Sequence, residues 1–378
     1  MSKKSGIFYI VLIFGVLAFL GLFPFLAQEK TYSENENRYL DTIPKLTKDE
    51  VLSGKFQKKF ESAFSNQFAF RDRFMEISTE TKKILGLKEA GGAYFGKNNY
   101  YFAKTRNQEI DQKQYLKNLR FVEYLGSRNK DKTSLILVPS PAVVLKDKLP
   151  SCAPYYDAKA MYKEEASILK ETKDVDVYTQ LSEYGKQENT GKNQIYFKTD
   201  HHWTLLGAYA AYEAYCIQTK QNVHTYGYFS AKKVSDSFYG TMYSKVLDPF
   251  AKPDDLYAAV NVPQAEVICD GEAKKGIYDV EMLLKKDKYA YFFGGNYAKT
   301  EIKSHSSGSG KMLVIKDSFA NSFVPFLMED YNDITMIDLR YYRSSVNKLI
   351  SEKNFDRILI LYEMSNFAND INLYKLVH

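Results

Sequence analysis

The chain has few of the residues that build disulfide-rich or metal-binding proteins. Only three of its 378 residues are cysteine, and Cys152, Cys216 and Cys269 show no spacing typical of a metal site. An odd number cannot pair completely within the chain, so stability has to come from a hydrophobic core. The charge is nearly balanced, with 52 basic and 46 acidic residues and no basic stripe. We therefore expect no nucleic-acid partner, no metal and no other cofactor.

Acidic residues are also missing from the first 28 residues, whose only charges are Lys3 and Lys4. Residues 6–27 are uncharged, and as a helix that rises about 1.5 Å per residue they would cross a hydrocarbon core of about 30 Å. The two lysines on the short flank predict a cytoplasmic N-terminus, with the rest of the chain outside the cell. A cleaved signal peptide is the alternative, although the best cleavage position, after Ala27, has the bulky Phe25 two residues before it.

The composition divides the chain into three segments. Residues 1–28 are predicted to be a signal-anchor transmembrane segment, and the polar residues 29–50 a juxtamembrane linker. Residues 51–378 are predicted to be the folded domain, with an insertion of loops and short strands around 225–300.

Apolar patterns after the linker predict alternating helices and strands. Phenylalanine at every fourth position from Phe56 to Phe68 predicts an amphipathic helix, and "GGAYFGKNNYYF" predicts a β-hairpin. Short buried strands are predicted at "TSLILVPS", "VDVYTQL", "KMLVIKDS", "DITMIDLRYY" and "DRILILYE", with helical segments between them. This alternation indicates an α/β fold with a mostly parallel sheet covered on both faces. Such sheets place their chemistry at the carboxyl ends of the strands.

One of these strand ends carries a candidate nucleophile. The apolar residues 313–315 are followed by Asp317 and Ser318, and a helix is predicted to come next. A serine in a strand-to-helix turn projects its hydroxyl from the edge of the sheet, and its backbone N–H lies near a helix N-terminus, where negative charge is favoured. That position suits a nucleophile whose reaction develops an oxyanion.

A serine nucleophile needs a base, and the base needs an acid that orients it. The sequence "TDHHW" offers both, because in an extended segment Asp200 and His202 would face the same side and His201 the opposite one. Alternatively, Asp200 caps the following helix, although Thr204 is better placed as the cap. A metal site of Asp200, His201 and His202 is a further alternative, which is weakened because adjacent histidines point apart.

The stretches "TDHHWT" and "VIKDSF" carry a resemblance to a known family. With a small-residue helix between them, the chain resembles the DHHW family of Gram-positive exported proteins, which are similar to the periplasmic alginate O-acetyltransferases of the SGNH-hydrolase-like superfamily. The stretches "SENENRYL", "FQKKFESAFSNQFAFRDRF", "GGAYFGKNNYYF" and "KYAYFFGGNY" also resemble that family. The resemblance implies an SGNH-hydrolase-like three-layer sandwich after one N-terminal transmembrane helix. It also implies a triad of Ser318 as nucleophile, His202 as base and Asp200 as orienting acid.

The resemblance implies a function as well. Family members are thought to receive acetyl groups from a membrane-bound O-acyltransferase partner and to place them on a polysaccharide hydroxyl. We therefore expect a membrane-anchored, extracellular O-acetyltransferase with an acetyl-serine intermediate. An acetyl esterase with the same triad is one alternative, and a non-catalytic scaffold of a polysaccharide export or modification complex is another. One departure concerns the turn before the serine, where the superfamily often has glycine and this chain has Lys316.

Five further residues are candidate substrate contacts. The resemblance implies that Gly295 and Asn296, in a glycine-rich turn, supply oxyanion donors, each worth about 2.7–4 kcal/mol of transition-state stabilisation. Arg340 could anchor a substrate oxygen or form a surface ion pair. Trp203 could stack on a sugar or lie in the core, and His201 could face the substrate.

Overall fold

The computed structural model describes residues 3–33, 35, 38–187 and 193–377, which form two compact units. The first unit is drawn from Met1–Gly91 and Ser244–Phe250, and the second from Gly92–Tyr243 and Ala251–His378. Three residues of the predicted linker, 34, 36 and 37, lie outside the described residues, as do the side chains at positions 3 and 4.

The first unit begins with an apolar helix, α1 (Lys3–Leu26). Its residues Ser5–Leu26 are long and apolar enough to cross a membrane, and almost all of their side chains are exposed or half-buried. An apolar helix near the N-terminus is therefore present as expected. A signal sequence has the same properties, so the uncleaved anchor and its orientation stay predictions.

Among the described residues up to Gly91, the first unit also contains β1 (Tyr32–Ser33), β2 (Arg38–Tyr39), α2 (Lys48–Leu52), α3 (Lys55–Gln67), α4 (Arg71–Ile84) and β3 (Glu89–Ala90). The helix predicted from the phenylalanine spacing is α3. Its rings at positions 56, 60, 64 and 68 follow one another at centroid distances of 5.8 to 5.9 Å. Phe60 also stacks on Phe25 of α1 at 6.1 Å, so the aromatic stripe contacts the end of the apolar helix.

The second unit contains the remaining elements. Its strands are β4 (Ala93–Phe95), β5 (Tyr101–Ala103), β6 (Thr133–Val138), β7 (Lys173–Asp174), β8 (Ala231–Phe238), β9 (Asp254–Ala259), β10 (Ala265–Cys269), β11 (Glu272–Lys274), β12 (Lys299–Ser304), β13 (Gly310–Lys316), β14 (Tyr331–Ile337) and β15 (Arg357–Glu363). Its helices are α5 (Gln112–Arg128), α6 (Pro141–Val144), α7 (Ala158–Ile168), α8 (Tyr178–Lys186), α9 (Leu205–Thr219), α10 (Thr241–Val246), which continues into the first unit, α11 (Ala320–Phe323), α12 (Val346–Lys353) and α13 (Met364–Asn369).

An eight-stranded sheet forms the centre of the second unit, in the order β11-β10-β12-β14-β13-β15-β6-β7. The strands from β14 to β7 are parallel, and β12, β10 and β11 extend the sheet with antiparallel pairings. The prediction of an α/β fold with a mostly parallel sheet is confirmed. Strand β13 lies inside the sheet between two parallel neighbours, and it leads directly to Ser318.

Apolar side chains of the central strands alternate between two core clusters. In β13, Met312 and Val314 belong to a cluster that includes α9, whereas Leu313 and Ile315 belong to one that includes α5 and α12. The two-residue period of a strand sends neighbouring side chains to opposite faces, so both faces of the sheet are covered.

One predicted strand differs from the structure. The predicted strand "VDVYTQL" is wrong, because β7 ends at Asp174 and helix α8 begins at Tyr178. A short segment rich in β-branched residues gives the same pattern for a strand and for a helix entry, so tertiary pairing decides. The expected insertion around 225–300 also contributes β10 and β11 to the main sheet, in addition to the separate hairpin of β8 and β9.

A close backbone approach at Gly207 fixes the segment that precedes α9. A Cβ atom at Gly207 would lie 2.2 Å from the carbonyl oxygen of Ile195 and 2.8 Å from Cβ of Trp203. The same Ile195 carbonyl accepts a hydrogen bond from the N–H of Thr204 at 2.9 Å. Only glycine leaves room for this contact, which holds the "TDHHW" segment against the helix.

We expect Gly207→Ala to destabilise the protein, although alanine is the better helix former by about 1 kcal/mol. Overpacking against a backbone oxygen costs about 1–3 kcal/mol, so thermal unfolding of the purified full-length chain should shift to lower temperature. The matched control is Gly185→Ala in α8, whose added Cβ meets only the ends of flexible side chains, the nearest at 3.2 Å. A Gly207→Ala protein as stable as the wild type would contradict this account.

Candidate active site

Ser318 lies just after the carboxyl end of β13, on the side of the central sheet where the parallel strands end. It is partly exposed, whereas Asp317 and Phe319 on either side of it are buried. The helix that follows, α11, has only four residues and continues as a 3-10 helix over Val324–Glu329. A helix this short contributes little dipole, so the expected support from a helix N-terminus is smaller than the sequence suggested.

Asp317 fixes the turn that carries the serine. Its Oδ1 accepts from the N–H of Phe319 at 2.9 Å, and its Oδ2 accepts from the N–H of Glu363 and from Nδ2 of Asn366, both at 2.9 Å. Burial raises the pKa of Asp317, while these hydrogen bonds act in the opposite direction. The carboxyl group thus ties the end of β13 to the end of the neighbouring strand β15.

The "TDHHW" segment is a tight turn rather than the extended segment expected from sequence. Phe197 N–H donates to the carbonyl of His202 at 3.2 Å, and Tyr196 pairs with Trp203 in an antiparallel bridge. Asp200 Oδ1 accepts from the backbone N–H of His202 at 2.9 Å, which places the carboxylate beside the imidazole. Asp200 and His202 are therefore neighbours, as predicted, but a hydrogen-bonded turn brings them together.

Asp254, at the start of β9, holds the beginning of this turn. Its Oδ1 accepts from Lys198 N–H at 2.9 Å, and its Oδ2 accepts from Thr199 N–H at 2.8 Å and from Thr199 Oγ1 at 2.7 Å. Sequence reasoning missed this residue, which lies in the segment expected to be an insertion. The sequence around Asp254 shows only an aspartate before a strand. It does not indicate that the carboxylate binds the distant loop at Lys198 and Thr199.

Three side chains form a continuous hydrogen-bonded row. Ser318 Oγ lies 2.7 Å from His202 Nε2, and His202 Nδ1 lies 2.5 Å from Asp200 Oδ1. His202 and Asp200 are almost completely buried. With Nδ1–H donated to the carboxylate, Nε2 is left as the acceptor for the serine proton.

Asp200 stays ionised in spite of its burial. Burial by itself raises the pKa of Asp200, but the neighbouring imidazoles of His201 and His202 and the hydrogen bonds from His202 and Thr241 hold it well below its ordinary value. Thr241 donates to Asp200 Oδ2 from its N–H at 2.7 Å and from its hydroxyl at 3.1 Å. Gly240 is required beside it, since a Cβ there would lie 2.2 Å from Asp200 Oδ2.

Tyr289 is a site residue that the sequence reasoning did not identify. Its ring stacks on the imidazole of His202 at 3.8 Å and 9°. Its hydroxyl donates to the carbonyl of Ser318 at 3.2 Å and lies 3.0 Å from Ser322 Oγ. Tyr289 therefore fixes both the plane of the imidazole and the backbone of the serine. Its only signal was its position within "KYAYFFGGNY".

His201 does not point away from the site, which corrects the sequence expectation. Its Nδ1 lies 2.7 Å from Thr241 Oγ1 and 3.5 Å from Asp200 Oδ1, and its ring centroid is 3.9 Å from that of His202. The turn replaces the extended backbone on which the expectation depended. The side chain of His201 is about one-third exposed, whereas that of His202 is almost completely buried.

The turn also gathers three potential metal ligands. Ligand atoms of Asp200, His201 and His202 lie within 4.8 Å of one another. Two ligands of a tetrahedral zinc ion are roughly 3.4 Å apart, because each is about 2.1 Å from the metal. Asp200 Oδ1 and His202 Nδ1 are only 2.5 Å apart, so a metal held by these two atoms would have to break the bond that orients the imidazole.

A second polar group lies beside the serine. Lys316 Nζ donates to Asn296 Oδ1 at 2.7 Å and to Asn321 Oδ1 at 2.8 Å, and Asn321 Nδ2 donates to Asn296 Oδ1 at 3.2 Å. Asn321 Nδ2 also lies 3.4 Å from the carbonyl of Gly295. The side-chain oxygen of the exposed Asn296 thus accepts the hydrogen bond from Lys316. The amide nitrogen of Asn296 is left without a contact to Lys316. Lys316, at the position where the superfamily often has glycine, is buried, and its hydrogen bond to Asn296 holds the glycine-rich turn in place.

Two of the candidate substrate contacts have other roles. Trp203 is fully buried, and its Nε1 donates to the carbonyl of Phe319 at 3.1 Å and to Ser322 Oγ at 2.9 Å, so it cannot stack on a sugar. Arg340 forms a two-point ion pair with Asp338, with Nε–Oδ1 and Nη2–Oδ2 distances of 2.9 and 2.6 Å. The ion pair agrees with the alternative stated for Arg340, and a contact of its remaining N–H groups with substrate stays a prediction.

Comparisons with known proteins agree with the sequence resemblance. Residues 175–337 match the sequence model of the DHHW family, described as DHHW protein. This match spans the turn with Asp200 and His202 and also Ser318. The resemblance to the DHHW family is therefore confirmed. No curated protein has a matching sequence.

Solved structures share the fold of the chain. A DHHW family protein from Eubacterium siraeum matches with a TM-score of 0.63 and 20% identity, over 76% of this chain and 96% of its own. Bacillus cereus PatB1 with sulfonyl adduct matches with a TM-score of 0.58 and 21% identity, over 74% of this chain and 98% of its own. The O-acetyltransferase domain of Pseudomonas putida AlgJ is more distant, with a TM-score of 0.45 and 12% identity over 75% of this chain and 98% of its own, which is too remote to support the fold or the function.

The buried Lys316 predicts a pH dependence of stability. Burial lowers the pKa of Lys316 to about 8 from 10.5, although Asp338 and Asp317 act in the opposite direction. Between these two pH values the unfolded chain binds a proton that the folded chain does not. The free energy of unfolding should therefore rise from pH 8 to pH 10.5, by about 3 kcal/mol at most.

Denaturant unfolding of wild type and Lys316→Met across this pH range isolates the effect from other titrating groups. The wild type should gain stability relative to Lys316→Met as the pH rises. Lys311→Met, at an exposed position of the same strand, should follow the wild type. Parallel pH profiles for wild type and Lys316→Met would contradict the burial argument.

Proposed function

We propose that this DHHW-type chain is a membrane-anchored, extracellular O-acetyltransferase that transfers acetyl groups through Ser318 onto a cell-surface or secreted polysaccharide. The row Ser318–His202–Asp200, with distances of 2.7 and 2.5 Å, carries this proposal, since it has the contacts that acyl transfer requires. The acetyl group and the polysaccharide acceptor follow from the resemblance to the DHHW family. The SGNH-hydrolase-like three-layer arrangement is part of the proposal, supported by core clusters on both faces of the sheet.

The reaction proceeds in two acyl transfers. His202 Nε2 takes the hydroxyl proton of Ser318 while Oγ bonds to the acetyl carbonyl carbon of the donor. The bond from that carbon to the donor oxygen then breaks, and His202 returns the proton to the departing oxygen. In the second half a sugar hydroxyl loses its proton to His202 and bonds to the acetyl carbon, and Ser318 Oγ leaves and regains the proton.

Each half of the reaction passes through an oxyanion, which needs hydrogen-bond donors. The backbone N–H of Ser318 and the Nδ2 of Asn296 are our candidates. The proposal for Asn296 is supported by the hydrogen bond from Lys316 to its oxygen, which fixes the orientation of the amide. Gly295 contributes to the shape of the turn, with a φ of 121° that favours glycine.

The apolar helix supports a position at the cell membrane. A single span over Ser5–Leu26 with two lysines before it would place the second unit outside the cell. A membrane-bound O-acyltransferase is the partner that the DHHW resemblance suggests as acetyl source. Co-purification with such a protein, encoded beside this chain, would support transfer over hydrolysis.

The sulfonyl adduct of PatB1 suggests a direct probe of the serine. Sulfonyl fluorides react with hydroxyl groups that a neighbouring base activates. A sulfonyl fluoride should therefore inactivate the full-length protein in detergent with one group attached at Ser318.

We expect Ser318→Ala and His202→Ala each to lower hydrolysis of p-nitrophenyl acetate by at least about a thousandfold. Asp200→Asn should cost about 10⁴-fold, because it alters the tautomer of the imidazole. The same variants should lose transfer to an oligosaccharide, measured by mass spectrometry of the acceptor. Ser307→Ala and His305→Ala, both at exposed positions, are matched controls that should keep the wild-type rate.

The same assay separates the alternatives. Acetate release that an oligosaccharide does not divert would indicate an acetyl esterase. A Ser318→Ala protein that still supports polymer acetylation, while deletion of the gene abolishes it, would indicate a scaffold and contradict the proposal.

If Asp200, His201 and His202 instead held a catalytic metal, a chelator would abolish the esterase activity. Because the row Ser318–His202–Asp200 needs no metal to activate the serine, we expect prolonged treatment with EDTA to leave esterase activity unchanged. Activity that is lost with EDTA and restored by zinc would contradict the triad and support a metal site.

A further inference from the structure

Helix α4 of the first unit carries an apolar face that the protein leaves exposed. The face consists of Phe70, Phe74, Ile77, Ile84 and Leu85, whose exposed fractions range from 47% for Phe74 to 81% for Ile84. The first four are spaced by four, three and seven residues, so they lie along one side of the helix. Single exposed apolar residues are common on proteins, whereas a continuous apolar face indicates a surface that binds a partner or a membrane.

The opposite side of α4 attaches the helix to the rest of the first unit. The hydroxyl of Thr79 donates to the carbonyl of Val246, and Lys83 Nζ donates to Asp248 Oδ2 at 2.7 Å. Thr79 and Lys83 are four residues apart, so both lie on the same side of the helix. With this side fixed, the apolar face of α4 points outward.

The aromatic stripe of α3 continues the apolar face, and we call the two together the apolar surface. The ring of Phe68, at the end of the stripe, lies 5.8 Å from the ring of Phe74. The rings of the stripe are half-buried, whereas Lys55, Lys58 and Lys59 on the remaining surface of α3 are exposed. An aromatic side and a lysine-rich side are typical of a helix that lies in the interface of a membrane.

Two ring contacts join the apolar surface to the end of the apolar helix α1. Phe25 stacks on Phe60 at 6.1 Å, and Phe23 stacks on Phe70 at 6.4 Å. Both rings of α1 belong to the last four residues of the span Ser5–Leu26. A span of this length rises about 33 Å, so its last residues reach the far boundary of a hydrocarbon core of about 30 Å. A membrane that contains α1 would therefore have its lipid head groups at the level of the apolar surface.

A groove of about 540 Å³ beside the apolar face combines aromatic rings with cations. The rings of Phe64, Phe68 and Phe74 line it, and its cations are Arg71, Lys82 and Lys245. None of the described residues that line the groove is acidic. A phospholipid offers both an acyl chain for such rings and a phosphate for such cations.

The acidic side chains of α4 do not neutralise all of these cations. Each lies within 3.6 Å of a basic side chain, in the pairs Arg71–Asp72, Arg73–Glu76 and Lys83–Glu80. Arg71 thus shares its charge with Asp72, whereas Lys82 and Lys245 have no ion pair among the described residues. These two ammonium groups favour a membrane with anionic lipids over a neutral one.

We propose that the apolar surface lies on the outer leaflet of the membrane that α1 spans, with Lys82 and Lys245 against the phosphates of anionic phospholipids. The inference rests on the membrane anchoring in the proposed function and deepens it, whereas it does not depend on the chemistry of Ser318. A second membrane contact beside α1 would restrict the tilt and rotation of the first unit.

Fluorescent probes at single positions of the full-length protein test this contact. A nitrobenzoxadiazole label would be attached to Ile77→Cys, Ile84→Cys, Lys58→Cys or Leu17→Cys after Cys152→Ala, since the other two cysteines are buried. The protein would be reconstituted in vesicles of phosphatidylcholine and phosphatidylglycerol with nitroxide groups on the acyl chains. We expect the nitroxides to quench the labels at positions 77, 84 and 17, and to leave the label at position 58 unquenched.

Acidic substitutions test whether the apolar face itself makes the contact. Phe74→Asp with Ile77→Asp should abolish the quenching at position 84 and leave the quenching at position 17 unchanged, because charged side chains do not enter hydrocarbon. The matched control is Gln108→Asp with Ser127→Asp, which adds the same charge at exposed positions of the second unit. The control should keep the quenching at position 84, and thermal unfolding of both double variants shows whether they are folded.

The lipid composition tests the two lysines. In vesicles of phosphatidylcholine alone, the quenching at position 77 should be weaker than in the mixed vesicles. Equal quenching in the two kinds of vesicle would overturn the role of Lys82 and Lys245. A label at position 77 that is shielded from aqueous iodide but not quenched by the nitroxides would indicate a protein partner or a second copy of this chain, and would overturn the proposal.

The label at position 17 separates this proposal from the membrane anchoring. If it is quenched while the labels at positions 77 and 84 are no more quenched than that at position 58, the apolar surface fails and the anchor stands. If the labels at positions 77 and 84 are quenched but that at position 17 is not, the anchor fails and the surface contact stands. A Ser318 that proves unreactive towards acetyl esters would overturn the acetyltransferase and leave both results unchanged.

Discussion

The buried, ionised carboxylate of Asp200 is the group on which the arrangement of the candidate site depends. A charge removed from water costs several kcal/mol unless close partners replace the lost solvent. Here His202 supplies two of those partners, through its backbone N–H and its Nδ1, and Thr241 supplies two more. The turn around Asp200 is therefore determined by the need to satisfy one carboxylate, and the imidazole is oriented as a consequence. Gly240 is part of the same constraint, because a side chain there would collide with the carboxylate.

The sheet positions the other half of the site. Strand β13 lies between β14 and β15, so its carboxyl end cannot shift without breaking parallel pairings on both sides. Asp317 adds a side-chain link to β15, and Tyr289 holds the carbonyl of Ser318. The serine and the histidine thus belong to two separately fixed segments that meet at 2.7 Å. Preorganisation of this kind lets the protein stabilise developing charge without rearranging during the reaction.

Much of the sheet could be predicted from sequence, and so could the contact of Ser318 with His202 and Asp200, because both depend on local patterns. Apolar runs revealed β6, β13, β14 and β15, and the Asp-x-His spacing together with Asp-Ser at a strand end identified the three candidate residues. The short edge strand β7 was misplaced, since two residues of pairing leave almost no pattern.

The supporting residues could not be predicted, because their roles depend on contacts between distant parts of the chain. Asp254 binds a loop more than 50 residues away, and Tyr289 stacks on His202 across more than 80 residues of sequence. The orientation of His201 is set by the turn, and no repeating pattern of apolar residues in the sequence predicts that turn. The burial of Lys316 could not be predicted either, because a charged side chain is expected at the surface. It is buried because Asn296 and Asn321 accept its hydrogen bonds.

If Ser318 carries the acetyl group during the reaction, the acyl-enzyme can be trapped and its position found. The full-length protein would be mixed with an acetyl ester in the absence of any acceptor, quenched in acid and digested for mass spectrometry. We expect one acetyl group on the peptide that contains Ser318, and we expect it to disappear when an oligosaccharide acceptor is added before the quench. An acetyl group on a different residue, or acetyl ester turnover with no acetylated peptide at any quench time, would contradict it.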